Sequence, residues 1–500
     1  MNQLIWANFL HIYQPVEQQP DILAAVVAQC YHPLIMGIKQ RQRVRLTLNI
    51  TGALLELFDR DGYRDLIDAL RAVGQRGQIE FTGSAKYHAF LPLITQDEVV
   101  RQVKLNDEAN RFYLGRAYAP KGFFPPEMAY QPKLGPIIQA LGFRWLILDE
   151  IAYRGEPGLV DYTKHYRLRG TKLNVFFRER RLSNLIMSAV VRSRTTLVEA
   201  MRQDFGTGRY VLTAMDGETF GHHRPGLEQM LFQVFSAPEF NLVRLSDLLD
   251  DGRPTEEVTP VTCTWASSKQ DIDKGVQFLS WFDPENPIHR WQWELTRLAL
   301  KEVKALPPRN SHFKLLRHKL DIGLASDQYW WASAKPWWSL EMIEGGAWRL
   351  LELIRQVPGL SRVKLEHARS CYEKIVSSAF NWQRTGKIRQ MMQQQKDIMR
   401  IPLKDRTVNR GGAERGVYHA FMDMMKRLEQ EAVGRHEYEK AILWRDARFK
   451  LEHKLDIYDT INAIDLLRVE IPHQEVEDTI ERYKAKYRKI RGGQPEQRGA

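Results

Sequence analysis

The chain has 500 residues, with 73 Lys+Arg against 61 Asp+Glu for a formal charge of +12, and 43% hydrophobic residues. That apolar share can fill one large core or two ordinary ones, which excludes disorder over most of the chain. The three cysteines, Cys30, Cys263 and Cys371, stand too far apart for a disulfide framework or CxxC metal spacing and point to a reducing compartment.

The first residues, MNQLIWANFLHIYQP, lack a basic n-region and a small-residue cleavage site. No uninterrupted run reaches the roughly 18 apolar residues of a spanning helix. The expectation is a soluble cytoplasmic protein without a membrane partner. Residues 1–300 hold 35 basic and 34 acidic side chains, and residues 301–500 hold 38 and 27. The basicity therefore belongs to the C-terminal part, where it is interspersed with acids in stretches such as KLEHKLDIYDTINAIDLLRVE. That pattern reads as a solvated helix face, so no nucleic-acid partner is expected.

In chain order, short β-rich runs fall at Leu4–His11, Val44–Thr51, Gln78–Ser84, Gly122–Glu127, Arg144–Glu150, Leu173–Arg178 and Tyr210–Asp216. Amphipathic segments such as ALLELFDRDGYRDLIDALRAVG lie between them, with apolar residues at three- and four-residue intervals. The alternation predicts an α/β fold with a parallel sheet covered by helices. Nearly every run turns polar or ionisable at its C-terminal end, and this favours closure into a barrel whose strand ends surround one mouth. A short strand–helix piece (FNLVRLSDLLDDG) and a Thr-rich strand (EVTPVTCTWAS) follow. The barrel is assigned to residues 1–260, a Trp-rich helical segment completing the groove to 261–360, a helical region to 361–490, and a disordered tail to 491–500. A Gly-Gly break falls at Gly411–Gly412.

Two segments carry candidate chemistry. Lys121-Gly-Phe-Phe-Pro-Pro-Glu127 brings one carboxylate to the end of an apolar strand, and Leu212-Thr-Ala-Met-Asp216-Gly-Glu218 brings another. Paired carboxylates from two strand ends suit glycoside cleavage: one attacks or stabilises an oxocarbenium-like transition state, and the other protonates the leaving oxygen. The alternative is that each acid caps the helix that follows it.

His11-Ile-Tyr13-Gln14-Pro15, Glu80 in Gly77-Gln-Ile-Glu80-Phe-Thr-Gly83, Tyr87-His88, Pro126-Glu127-Met128-Ala-Tyr130 and Asp216-Gly-Glu218-Thr-Phe-Gly221-His222 resemble the successive sequence blocks of glycoside hydrolase family 57. Phe177-Arg178 through Ser183 and Ser326-Asp327-Gln-Tyr-Trp330-Trp331 extend the resemblance to about residue 345. It implies a distorted seven-stranded (β/α) barrel followed by an α-helical C-terminal region, acting on α-glucans with retention. Glu127 matches the nucleophile and Asp216 the general acid/base. Retention implies carboxyl groups about 5–5.5 Å apart. Substrate contacts are expected from His11, Tyr13, Gln14, Glu80, His88, Tyr130, Arg178, Glu218, His222, Trp265, Asp327 and Trp330. Two positions depart from the pattern: Tyr13 stands where the family more often has histidine, and Met128 where cysteine is common.

His11, His88, His222 and His223 could suggest a metal, but they lack the spacing of metal-dependent deacetylases and mannosidases. No metal or other cofactor is expected. Most tryptophans should pack the core, while one member of each adjacent pair, Trp330-Trp331 and Trp337-Trp338, should line the groove. Four alternatives remain open: a glucan-binding barrel without turnover, a metal-dependent polysaccharide deacetylase or mannosidase, nucleic-acid binding by the basic helical end, and a branching enzyme. The short segment after His223 leaves the last of these little room for a long catalytic loop. Hydrolysis or transfer, linkage and oligomeric state are not set by the sequence.

Overall fold

A computed structural model of the chain describes residues 3–335, 337–391, 416–453 and 457–491. The expected Gly411–Gly412 break and nearly all of the expected 491–500 tail lie outside them. Ten strands occur among the described residues: β1 Leu4–Ile12, β2 Leu46–Ile50, β3 Ile79–Phe81, β4 Gly122–Phe123, β5 Trp145–Asp149, β6 His165–Leu168, β7 Asn174–Arg178, β8 Tyr210–Asp216, β9 Phe240–Val243 and β10 Thr255–Val258.

Two sheets carry them, in the orders β3-β2-β1-β8 and β10-β6-β7-β5-β4, with β9 pairing β1. The pairings are parallel except β6 with β7. Two narrow joins bring the sheets together. Gly83 bridges Phe123 in parallel fashion, and the Glu179 N–H donates to Leu212 O at 2.7 Å. The circuit β1-β2-β3-β4-β5-β7-β8 is thus a seven-stranded barrel, distorted at both joins. β6 was not expected; HYRL is too short and too polar to announce a strand, and forms only by folding back antiparallel on β7.

Strand alternation separates two cores. Ala7 and Phe9 of β1 join Phe124, Tyr210 and the helices beyond residue 287. Trp6, Leu10 and Ile12 face the other layer, with Leu23, Val26, Tyr31 and Leu34. Those last residues belong to the helical run Pro20–Gln40, which is long and apolar enough to cross a membrane by composition (hydropathy 1.4), yet half of it is buried in the protein. The helices Val417–Gly434, Tyr438–His453, Ile457–Glu470 and His473–Arg491 share a third core that includes Tyr418, Met425, Trp444, Leu467 and Ile480.

Side chains reinforce the second join, where β7 and β8 share no ladder. Arg178 donates from Nε to Ala214 O at 2.7 Å and from Nη1 to Asp149 Oδ2 at 2.8 Å, linking β5, β7 and β8. Asp149 is fully buried and also takes Arg180 Nη2 on Oδ1 at 2.8 Å. Removing one partner of a buried pair strands the other charge. Asp149→Ala is therefore expected to lose about 3–5 kcal/mol of stability, measured by urea unfolding, with Asp149→Asn losing less.

Candidate active site

The register of β1 with β8 sets His11 beside Asp216 at the C-terminal rim of the barrel. β4 stops at Phe123, and the two prolines that follow turn the chain so that Glu127 takes φ 62°, ψ 14°. Met128 and His88 also have positive φ, 47° and 55°. Non-glycine residues seldom adopt this left-handed region, and several together mark a backbone held by its surroundings. Glu127, Asp216, His11, His88 and Trp265 line one cleft of about 410 Å³.

The Trp265 indole N–H donates to Glu127 Oε2 at 2.7 Å. Two backbone pairings deliver it: the Trp265 N–H donates to Glu127 O at 3.1 Å, and Tyr130 and Cys263 form an antiparallel bridge. Desolvation pushes the Glu127 carboxyl up to about 8, helped by the charge of Asp216 and opposed by Trp265. Asp216 rises to about 6 through desolvation, with the Arg178 guanidinium pulling the other way. Glu218, desolvated and facing Asp216, rises to about 8. It accepts from the Tyr31 hydroxyl, from the Tyr13 N–H at 3.3 Å and from Gln14 Nε2 at 3.5 Å.

Aromatic rings form one wall. Tyr13 stacks on His88 with centroids 4.4 Å apart, and His88 stacks on His11 at 5.1 Å. The Tyr13 hydroxyl donates to Asp327 Oδ2 at 2.8 Å, and desolvation raises the Asp327 carboxyl. The phenol at this departing position thus bonds to a neighbouring acid. His11 Nδ1 pairs with Asn49 Oδ1 at 2.7 Å, and burial lowers its pKa to about 4, which keeps the imidazole neutral. His88 Nδ1 pairs with Ser326 Oγ at 3.0 Å, while its buried Nε2 has no partner. Trp330 and Trp337 stack at 4.6 Å and both line the cleft, one from each adjacent pair. Their neighbours point elsewhere: Trp331 lines a second cavity, and Trp338 stacks on Trp382.

The cleft therefore gathers His11, Tyr13, Gln14, His88, Glu127, Arg178, Asp216, Glu218, Trp265, Asp327 and Trp330. Three expected residues lie outside it. Glu80 bonds Thr47 Oγ1 and the Ser246 N–H at the opposite end of the strands, because a side chain inside a three-residue strand does not reach the rim. The Tyr130 ring is buried and does not line the cleft, while its backbone pairs with Cys263. His222 turns to Gln29 Oε1 at 2.7 Å, and its neighbour His223 lines the cleft instead. Tyr31, Asn184 and Met187 were not singled out from sequence; Ser326 stood only inside a resembling block, and Trp281 only among the tryptophans read as core. Tyr31 and Trp281 lie in helical or turn segments whose apolar pattern reads as core. Among the described residues, the group able to hold a metal is Glu294, His367 and Cys371, with ligand atoms within 4.8 Å of one another. None of the three lines the cleft.

Known proteins share sequence and fold with the chain. The chain is 23% identical over 263 residues to an α-amylase of Pyrococcus horikoshii, covering 49% of this chain and 41% of that one. It is 22% identical over 301 residues to a 4-α-glucanotransferase of Thermococcus kodakarensis, covering 57% and 45%. The match thus spans less than half the length of these relatives. Among solved structures, the fold resembles the 4-α-glucanotransferase of Thermococcus litoralis (TM-score 0.57, 18% identity, 71% of this chain and 60% of that one). It also resembles a branching enzyme of Pyrococcus horikoshii (TM-score 0.56, 17% identity, 74% and 94%). The model for glycosyl hydrolase family 57 matches residues 4–259, just over half of the sequence, and the chain belongs to that family.

Proposed function

We propose that the protein is a retaining glycosidase or 4-α-glucanotransferase acting on α-glucans, with Glu127 as nucleophile and Asp216 as general acid/base. The observation that carries this reading is the opening of both carboxyl groups into one tryptophan-walled cleft. Glu127 attacks the anomeric carbon as the glycosidic C–O bond breaks, and Asp216 gives its proton to the leaving oxygen. Water or a glucan hydroxyl then loses a proton to Asp216, attacks the same carbon and frees Glu127. Trp265 engages Oε2 and leaves Oε1 for the sugar. Trp330 and Trp337 offer stacking faces for glucose rings. The free, buried cysteines support a cytoplasmic setting.

Assay on maltoheptaose tests the reading. Glu127→Gln and Asp216→Asn should each lose at least about 10³-fold in turnover, and parent-level activity in both would reject it. Longer products mean transfer, and only shorter ones mean hydrolysis. Proton NMR of the first product should show the α-anomer, and a β-anomer would replace the nucleophile by a water-activating base.

The pair also sets a pH profile. Burial pushes the Glu127 carboxyl up to about 8 and the Asp216 carboxyl up to about 6, so between these limits the pair holds one proton, which in the free protein rests mainly on Glu127. Turnover draws on the form with that proton on Asp216. Below about 6 the nucleophile is protonated as well, and above about 8 no proton is left to donate. The kcat/KM profile should be a bell with its maximum between these limits. A flat profile through pH 9 would mean that the two groups do not share a proton.

A further inference from the structure

From the part-buried salt bridges that cross from the C-terminal helices to the barrel, we infer that Asp465 is a positioning residue for the substrate cleft. It holds in place the segment Gly221–Gly226, which follows the catalytic strand. This inference rests on the function proposed above. Asp465 lies on the helix Ile457–Glu470. Its Oδ1 accepts from Arg192 Nη2 at 3.2 Å and its Oδ2 from Arg224 Nη1 at 3.3 Å. Both guanidinium groups are also tied to backbone at the cleft. Arg192 Nη1 donates to Pro225 O at 3.1 Å. Arg224 donates from Nε to Met187 O at 3.1 Å and from Nη1 to His223 O at 2.7 Å. Met187 and His223 are both cleft-lining residues.

The segment is gripped from two sides. On the barrel side, a Cβ at Gly221, whose φ is +113°, would fall 2.0 Å from Gln29 O. On the C-terminal side, His473, at the start of the last helix, packs so that a Cβ on Gly226 would meet its Nδ1 at 3.1 Å. A carboxylate that merely neutralised the buried Arg192 would need one arginine partner. Asp465 uses a separate oxygen for each of two arginines, and their remaining N–H groups hold the carbonyls of residues 187, 223 and 225. The C-terminal helices therefore act on the cleft wall through this carboxylate, and among the described residues none of their side chains lines the cleft.

Hydrogen-exchange mass spectrometry of the full chain, together with maltoheptaose kinetics, tests the inference. Asp465→Ala should speed exchange across residues 217–226 by about tenfold or more while peptides of β1 and β5 keep parent rates. KM should rise about tenfold with kcat within about twofold, because the wall shapes binding and the two carboxyl groups are untouched. Asp465→Glu should recover most of both effects. Unchanged exchange in 217–226, or acceleration spread evenly over the barrel, overturns the inference. If Asp465→Ala does not fold, Asp465→Asn and Arg224→Lys give the same two readouts. Should the parent itself not turn over maltoheptaose, the proposed function fails, while the exchange data still decide whether Asp465 holds the segment.

Discussion

The structure depends on a buried guanidinium placed where the barrel is weakest. β7 and β8 meet without a ladder, and Arg178 spans the gap by bonding Asp149 of β5 and the Ala214 carbonyl of β8. The same side chain lines the cleft and opposes the desolvation of Asp216. Closing the barrel and tuning the proposed proton donor are therefore one task for one residue. A backbone ladder at that join could close the sheet but could not place a positive charge beside the catalytic strand.

The other half of the site is built by a second kind of support. The turn after β4 is held by pairing with the segment Cys263–Trp265, which lies beyond the last strand. The nucleophile candidate thus takes its orientation from residues 138 positions later in the chain. Barrel and Trp-rich helices each add walls to a single cleft, and the C-terminal helices brace one of them through Asp465. This is why the boundaries read from composition do not correspond to separate functions.

Much of this was legible in the sequence because strand ends are chemically marked. The switch from apolar to ionisable residues at His11, Glu127, Arg178 and Asp216 located the mouth, and each of them lines it. Glu80 misled for a physical reason. It entered only through the family resemblance, and the strand register sets it level with Thr47, near the start of β2 and short of the rim. His222 was expected in the cleft and His223 lies there instead, since adjacent residues in a loop have no periodicity to say which faces inward. Tyr31 sits in a helix whose neighbours are core residues, and only its hydroxyl reaching Glu218 reveals another role. The bridges of Asp465 span 273 and 241 residues, a separation at which local pattern carries no information.

The left-handed backbone at Glu127 and Met128 has an outcome for how rate acceleration is supplied. Two successive side-chain-bearing residues in this region cost about 1–2 kcal/mol each. Such a conformation persists only where the surrounding packing dictates it. The ordering of the reactive oxygen atoms is thus completed when the chain folds, and little reorganisation is left for each encounter with a sugar. Under the function proposed above, such a site surrenders some thermodynamic margin permanently, and its attacking group is already aimed when substrate arrives.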